Sequence, residues 1–120
     1  MVKVLAAIPA LNERRAISSI VLLCKDYVDN VLVVDDGSSD MTAMLASMAG
    51  AEVVSHDKNR GKGYALLSAF KWADEKGYDV IVFLDGDGQH RPQYVPAMVE
   101  QLEHYHMVVA ARRRAGQASR

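Results

Sequence analysis

Val80-Ile81-Val82-Phe83-Leu84 is an unbroken apolar run, entered from Asp79 and left through Asp85-Gly86-Asp87-Gly88-Gln89-His90. Such a run leaves no polar side for water. It predicts a strand covered on both faces, and covering both faces of a sheet takes crossover helices. Open α/β sheets bind ligands beyond the carboxyl ends of their strands, which is where Asp85 and Asp87 emerge. Two carboxylates separated by one glycine can turn toward a common hard cation, and an oxygen-lined site of that kind suits Mg2+ or Mn2+. Taken alone, the same residues would also serve as an ordinary acidic turn.

The rest of the chain repeats the alternation of strand and helix. Val2 to Ile8 is an apolar run that Pro9 is expected to stop, and Asn12-Glu13 reads as the cap of a helix reaching about Tyr27. Ile17, Ile20, Val21 and Cys24 recur there at helical spacing. Val31 to Val34 predicts a second strand running into Asp35-Asp36-Gly37-Ser38-Ser39-Asp40, where Ser39 or Asp40 caps a helix over Met41 to Met48. Gly50 closes that helix, and Ala51 to Ser55 is a third strand. Asn59-Arg60-Gly61-Lys62-Gly63 leads to a helix from Tyr64 to Lys76 whose inner side is read as Leu66, Leu67, Phe70 and Ala73. Beyond the fourth strand, Pro92 opens a helical pattern over Tyr94 to Tyr105, and Met107 to Ala111 is a fifth strand candidate. This order predicts an α/β domain, a mostly parallel sheet joined by right-handed crossovers with helices on both faces.

Composition narrows the class. With 120 residues, 50% of them apolar, the chain is expected to form one domain over residues 1–120. A net charge of −1 argues against nucleic acid as a partner. Cys24 has no second cysteine to pair with and reads as a buried thiol. No stretch resembles a signal peptide or approaches the ~20 apolar residues of a membrane span, so a soluble chain without a transmembrane segment is expected.

Parallel strands end on a common edge, so Pro9-Ala10-Leu11-Asn12-Glu13, Asp35-Asp36-Gly37-Ser38 and Asp85-Gly86-Asp87 are expected to meet there. That many carboxylates on one rim require a cation or hydrogen-bond donors. Asp36 or Glu13 can accept from a ribose hydroxyl or a base N–H, while Asp85 and Asp87 can hold a divalent ion bridging two phosphates. A nucleoside diphosphate needs both.

Those three segments, with Asn59-Arg60-Gly61-Lys62-Gly63 and the continuation Gly88-Gln89-His90-Arg91-Pro92, resemble the nucleotide-sugar half of family 2 glycosyltransferases, which have the Rossmann-like GT-A fold. The last block is most similar to the polyprenyl-phosphate sugar transferases, such as the dolichyl-phosphate mannose synthases. The resemblance implies an inverting glycosyltransferase that takes a nucleotide-sugar donor and passes the sugar to a polyprenyl (dolichyl) phosphate. It also implies a place in the cytoplasm or peripherally at the cytoplasmic membrane face. By the same resemblance, Pro9, Ala10, Asn12 and Glu13 line the nucleotide pocket and Asp36 contacts the base or ribose. Asp85, Gly86, Asp87 and Gln89 then meet the diphosphate, with Asp85, Asp87 and Gln89 as metal ligands, Asp87 as the catalytic residue, and Arg112 near the diphosphate. Lys62 lies in a glycine loop before a helix and can reach a phosphate, yet reads as solvent-facing, and His90 reads as a surface residue.

Departures from the family pattern qualify these expectations. Leu11 stands where an aromatic residue is common. No aspartate follows Asp87, and Glu100 and Glu103 fall in a helical pattern, so a general base for a hydroxyl acceptor is missing. A lipid phosphate is already anionic and needs none. The acceptor half is expected to be absent, which makes a non-catalytic nucleotide-sugar-binding fragment the main alternative. A receiver-like signalling domain is remote. Its acid pair would follow the first strand and a lysine would follow the aspartate strand, whereas no lysine occurs beyond Lys76. Neither a P-loop nor a dinucleotide glycine fingerprint is present.

Overall fold

A computed structural model of the chain describes residues 2–84 and 109–111. Strands β1 (Val4–Ala10), β2 (Asn30–Asp35), β3 (Glu52–Ser55), β4 (Val80–Phe83) and β5 (Val109–Ala111) form one five-stranded sheet in the order β3-β2-β1-β4-β5. The first four are parallel: Ile8 of central β1 stands opposite Val33 of β2, and Ala6 stands opposite Val82 of β4. Between them run helices α1 (Ile17–Cys24), α2 (Thr42–Met48) and α3 (Lys62–Lys76).

Successive strand residues point to opposite faces, and each face has its own helices. Ala6, Ile8, Val31, Val33 and Val82 pack with Ile17, Val21 and Cys24 of α1 and Ala46 of α2. On the other face Leu5, Ala7, Leu32, Val34, Ile81 and Phe83 pack with Ala65, Ala69 and Ala73 of α3. Each fully buried Leu, Ile or Val contributes roughly 1.5–3 kcal/mol. At eight and seven residues, α1 and α2 fall below the ~12–15 residues at which isolated helices become marginal in water, so this packing holds them. The expected α/β architecture with helices on both faces is the one observed.

Several local expectations are corrected. Pro9 does not stop β1, which continues through Ala10. The Ala7 carbonyl accepts from Leu84 on the β4 side and the Ala10 carbonyl accepts from Asp36 on the β2 side, so Pro9, two residues after Ala7, faces the β4 side. It lies beyond the last β4 pair, Ala7 with Phe83, where its missing N–H breaks no ladder bond. Helix α1 begins at Ile17 and not at Asn12-Glu13, because the Glu13 carbonyl takes the amides of Ala16 and Ile17 in a preceding turn. It ends at Cys24, short of Tyr27.

Helix α3 starts at Lys62 and is closed after Lys76 by Gly77 in the left-handed conformation (φ 83°). Its buried face is Ala65, Ala69 and Ala73, while Leu67 is 66% exposed and Phe70 meets Phe83 edge-on at 5.5 Å. Small side chains every four residues let the helix lie close to the sheet, which moves Leu67 and Phe70 outward and leaves Leu66 half-buried. The short strand β5 is antiparallel to β4, with Val109 opposite Val82 and Ala111 opposite Val80. The expected helix over Tyr94 to Tyr105, with Pro92, lies outside the described residues.

Candidate functional site

Register brings the ends of three strands together: Ala10 stands opposite Asp35, and Asp35 opposite Ser55. The loops that follow are joined mainly by side-chain oxygens accepting backbone amides. Asn12 donates its amide to Ser38 Oγ at 2.9 Å, and its own Oδ1 accepts the Ser39 amide at 2.9 Å. The Glu13 amide donates to Thr42 Oγ1 at 2.9 Å, and the Thr42 amide donates to Asp40 Oδ1 at 2.9 Å. The N-cap of α2 is Met41 and not Ser39 or Asp40 as expected, but Asp40, one residue earlier, accepts the first amide of the helix. Asn12 has φ 55°, a left-handed conformation that asparagine tolerates better than most residues.

Asp36 is the centre of the third seam and is only 6% exposed. Its Oδ1 accepts from the Arg60 amide at 2.9 Å and faces His56 Nδ1 at 2.8 Å, and its Oδ2 accepts from the Gly61 amide at 2.9 Å. Burial pushes this carboxyl up, but the His56 bond and the Arg60 and Gly61 amides outweigh burial and hold it below its ordinary value. An ionised carboxylate only accepts, so the shared proton belongs to His56 Nδ1. The other ring nitrogen, Nε2, lies 2.8 Å from Ser68 Oγ in α3, and the Tyr64 ring meets the imidazole edge-on at 5.0 Å. Neighbouring Asp35 is also buried and accepts the Ser38 amide at 3.1 Å.

Ala10, Asn12, Glu13 and Asp36 therefore share one rim. Pro9 precedes Ala10 in β1, and Lys62 is exposed in the first turn of α3. Asp85, Gly86, Asp87, Gln89, His90 and Arg112 lie outside the described residues. Leu84, immediately before Asp85 in the sequence, donates its amide to the Ala7 carbonyl at 3.1 Å. The fifth strand departs from the shared edge: Ala111, immediately before Arg112, stands opposite Val80 at the start of β4. Among the described residues no group of three or more His, Cys, Asp and Glu side chains could hold a metal ion. None of their helices is long and apolar enough to cross a membrane.

The sequence reading missed His56, Ser68 and Thr42 as parts of this rim. His56 directly follows β3, so the strand-end rule applied to Asp36 would have found it too. Ser68 gives no such signal, because it looks like any polar residue of an exposed helix.

Comparison with known proteins agrees with this architecture. A family model described as "Glycosyl transferase family 2" matches residues 6–120. The undecaprenyl-phosphate mannosyltransferase of Micrococcus luteus is 36% identical over 121 residues, covering 95% of this chain and 50% of the relative. The polyprenol monophosphomannose synthase of Mycolicibacterium smegmatis is 34% identical, covering 84% of this chain and 41% of the relative. Among solved structures, glucosyl-3-phosphoglycerate synthase of Mycobacterium tuberculosis, in a complex with Mn2+ and UDP, superposes with a TM-score of 0.68 at 31% identity, covering 83% of this chain and 39% of that one. The chain thus spans half or less of the length of these proteins.

Proposed function

Because the chain belongs to glycosyl transferase family 2 and has the GT-A fold, we propose that it is the donor-binding part of a metal-dependent glycosyltransferase that moves sugar from a nucleotide to a polyprenyl phosphate. The observation that carries this reading is the rim itself. Three strand-end loops are tied into one surface around an ionised, buried Asp36, with Ala10, Asn12 and Glu13 beside it. Acceptor groups of that kind suit the hydroxyls and N–H groups of a nucleoside. Relatives named for transfer to undecaprenyl, polyprenol and dolichyl phosphates favour a lipid phosphate as acceptor.

Asp85, Asp87 and Gln89 would hold the ion, since oxygen donors of this type fit Mg2+ or Mn2+. Glucosyl-3-phosphoglycerate synthase has been crystallised with UDP and either metal. Such an ion supplies charge neutralisation for a departing nucleoside diphosphate. In this reading Asp87 is catalytic through that role, Gly86 lets the backbone approach the diphosphate, and Pro9 shapes the pocket wall. Arg112, which follows β5, would add a positive charge near the diphosphate in this reading. A phosphate acceptor needs no general base. A chain that spans half of its relatives binds donor on this reading, while turnover belongs to a longer chain. With a lipid acceptor, the place of action is peripheral, at the cytoplasmic face of a membrane.

The test is calorimetry with UDP and GDP, each with Mn2+ and with chelator. Binding that needs metal and is abolished by Asp87→Ala is the expected result, and equal affinity in chelator would sink the proposal. Release of nucleoside diphosphate from nucleotide sugars with polyprenyl phosphate, assayed on this chain and on a longer one, separates binding from turnover.

A further inference from the structure

We infer that His56 is a positioning residue for the donor nucleoside. Anchored by Ser68 on α3, it fixes the Asp36 carboxylate so that one acceptor position, on Oδ2, is left for a ligand N–H or hydroxyl. The inference rests on the donor-binding reading and adds a residue that does not itself touch the ligand.

A carboxylate has about four acceptor positions. At Asp36 the Oδ1 positions are taken by His56 Nδ1 and the Arg60 amide, and one Oδ2 position by the Gly61 amide. The side chains of His56 and Asp36 are 7% and 8% exposed, so the pair is enclosed and the carboxylate cannot turn without breaking these bonds. The Arg60 and Gly61 bonds fix the loop path, and His56, from the same loop after β3, adds a side-chain bond on Oδ1 that fixes the plane of the carboxylate. Ser68 prevents the imidazole from swinging away, and Tyr64 packs on its edge.

The order carboxylate, imidazole, hydroxyl is also that of a nucleophilic triad. Ser68, however, lies inside α3, where the helix takes the neighbouring amides, so its Oγ faces no oxyanion donors. The arrangement holds Asp36 and does not arm Ser68. A single open acceptor favours a ring N–H, as in uracil or guanine, and disfavours the bare ring nitrogen of cytosine.

The experiment measures Kd for UDP, GDP and CDP with Mn2+ on this chain, with circular dichroism showing each variant folded at the working temperature. His56→Phe keeps a ring and removes both hydrogen bonds, His56→Asn restores a donor near the Nδ1 position, and Ser68→Ala removes the anchor. For the tighter of UDP and GDP, His56→Phe is expected to weaken binding about tenfold and narrow the preference over CDP, with His56→Asn recovering most of the loss. A hydroxyl contact instead weakens all three nucleotides alike, which also supports positioning. Binding within about twofold of wild type in folded His56→Phe overturns the inference, as does a His56→Asn protein no better than His56→Phe. If His56→Phe does not fold, Ser68→Ala decides: about threefold weakening supports the inference and unchanged affinity overturns it. Wild-type protein that binds no nucleotide overturns the donor reading and this inference together.

Discussion

Gly37 and Lys58 are in backbone contact across two loops: a Cβ on Gly37 would lie 2.5 Å from the Lys58 carbonyl carbon. Gly37 also has φ +83°, so both space and conformation demand glycine. Three glycines separate the two effects. Gly37→Ala should destabilise most, by about 2–4 kcal/mol, because backbone atoms must move apart as well as strain. Gly61→Ala meets nothing within 4 Å but has φ 97° and ψ 162°, a region essentially restricted to glycine, so about 1–3 kcal/mol is expected. Gly63→Ala, in open space within α3, should stabilise by roughly 0.5–1 kcal/mol. Urea denaturation of the three proteins checks this order.

Asp36→Asn should destabilise by about 1–3 kcal/mol near neutral pH, because an amide cannot accept from His56, Arg60 and Gly61 together. The Asp36 carboxyl is lowered by folding, so its stabilisation is fully present above the unfolded value of about 3.9. It is lost as pH falls through the lower folded value. The stability gap between wild type and Asp36→Asn should therefore close as pH falls below about 4, as read from denaturant midpoints across pH.

Alternation of apolar runs and helical periods made the sheet, helices α1 to α3 and the part of the rim after β1 and β2 readable from sequence, because each strand core such as Val31 to Val34 is apolar without interruption. What was not readable depended on neighbours. Pro9 can stay in β1 only because β4 stops pairing at Ala7. The inner face of α3 went to Ala65, Ala69 and Ala73, since close approach to the sheet outweighs the greater apolar area of Leu67 and Phe70. The reversal of β5 has no local signature, because an apolar strand reads the same in either direction. Asp36 was found as a rim acid, and His56 is detectable as a strand-end residue, but their pairing across 20 residues is visible only once β3 lies beside β2.

Asn12 isolates a backbone term. Asn12→Gly and Asn12→Ala both lose the Oδ1 bond to the Ser39 amide, but only alanine is strained at φ 55°. Alanine should therefore be less stable than glycine by about 1 kcal/mol in thermal or urea unfolding.

Cys24 is fully buried, and burial pushes its thiol up to about 12. At pH 8 the native chain should react with a disulfide reagent at least about a hundredfold more slowly than the chain in urea. Reaction at the free-thiol rate under native conditions would contradict the packing of α1.

Glu13, Arg14 and Arg60 enter the seams between loops through their amides, with the accepting oxygens supplied by Thr42, Asp40 and Asp36. The course of these loops is therefore set by three accepting side chains. A change of side chain at a donating position leaves that backbone bond in place. Substitutions at the accepting residues instead disturb everything hung from them, so divergence in specificity should concentrate on one partner of each seam.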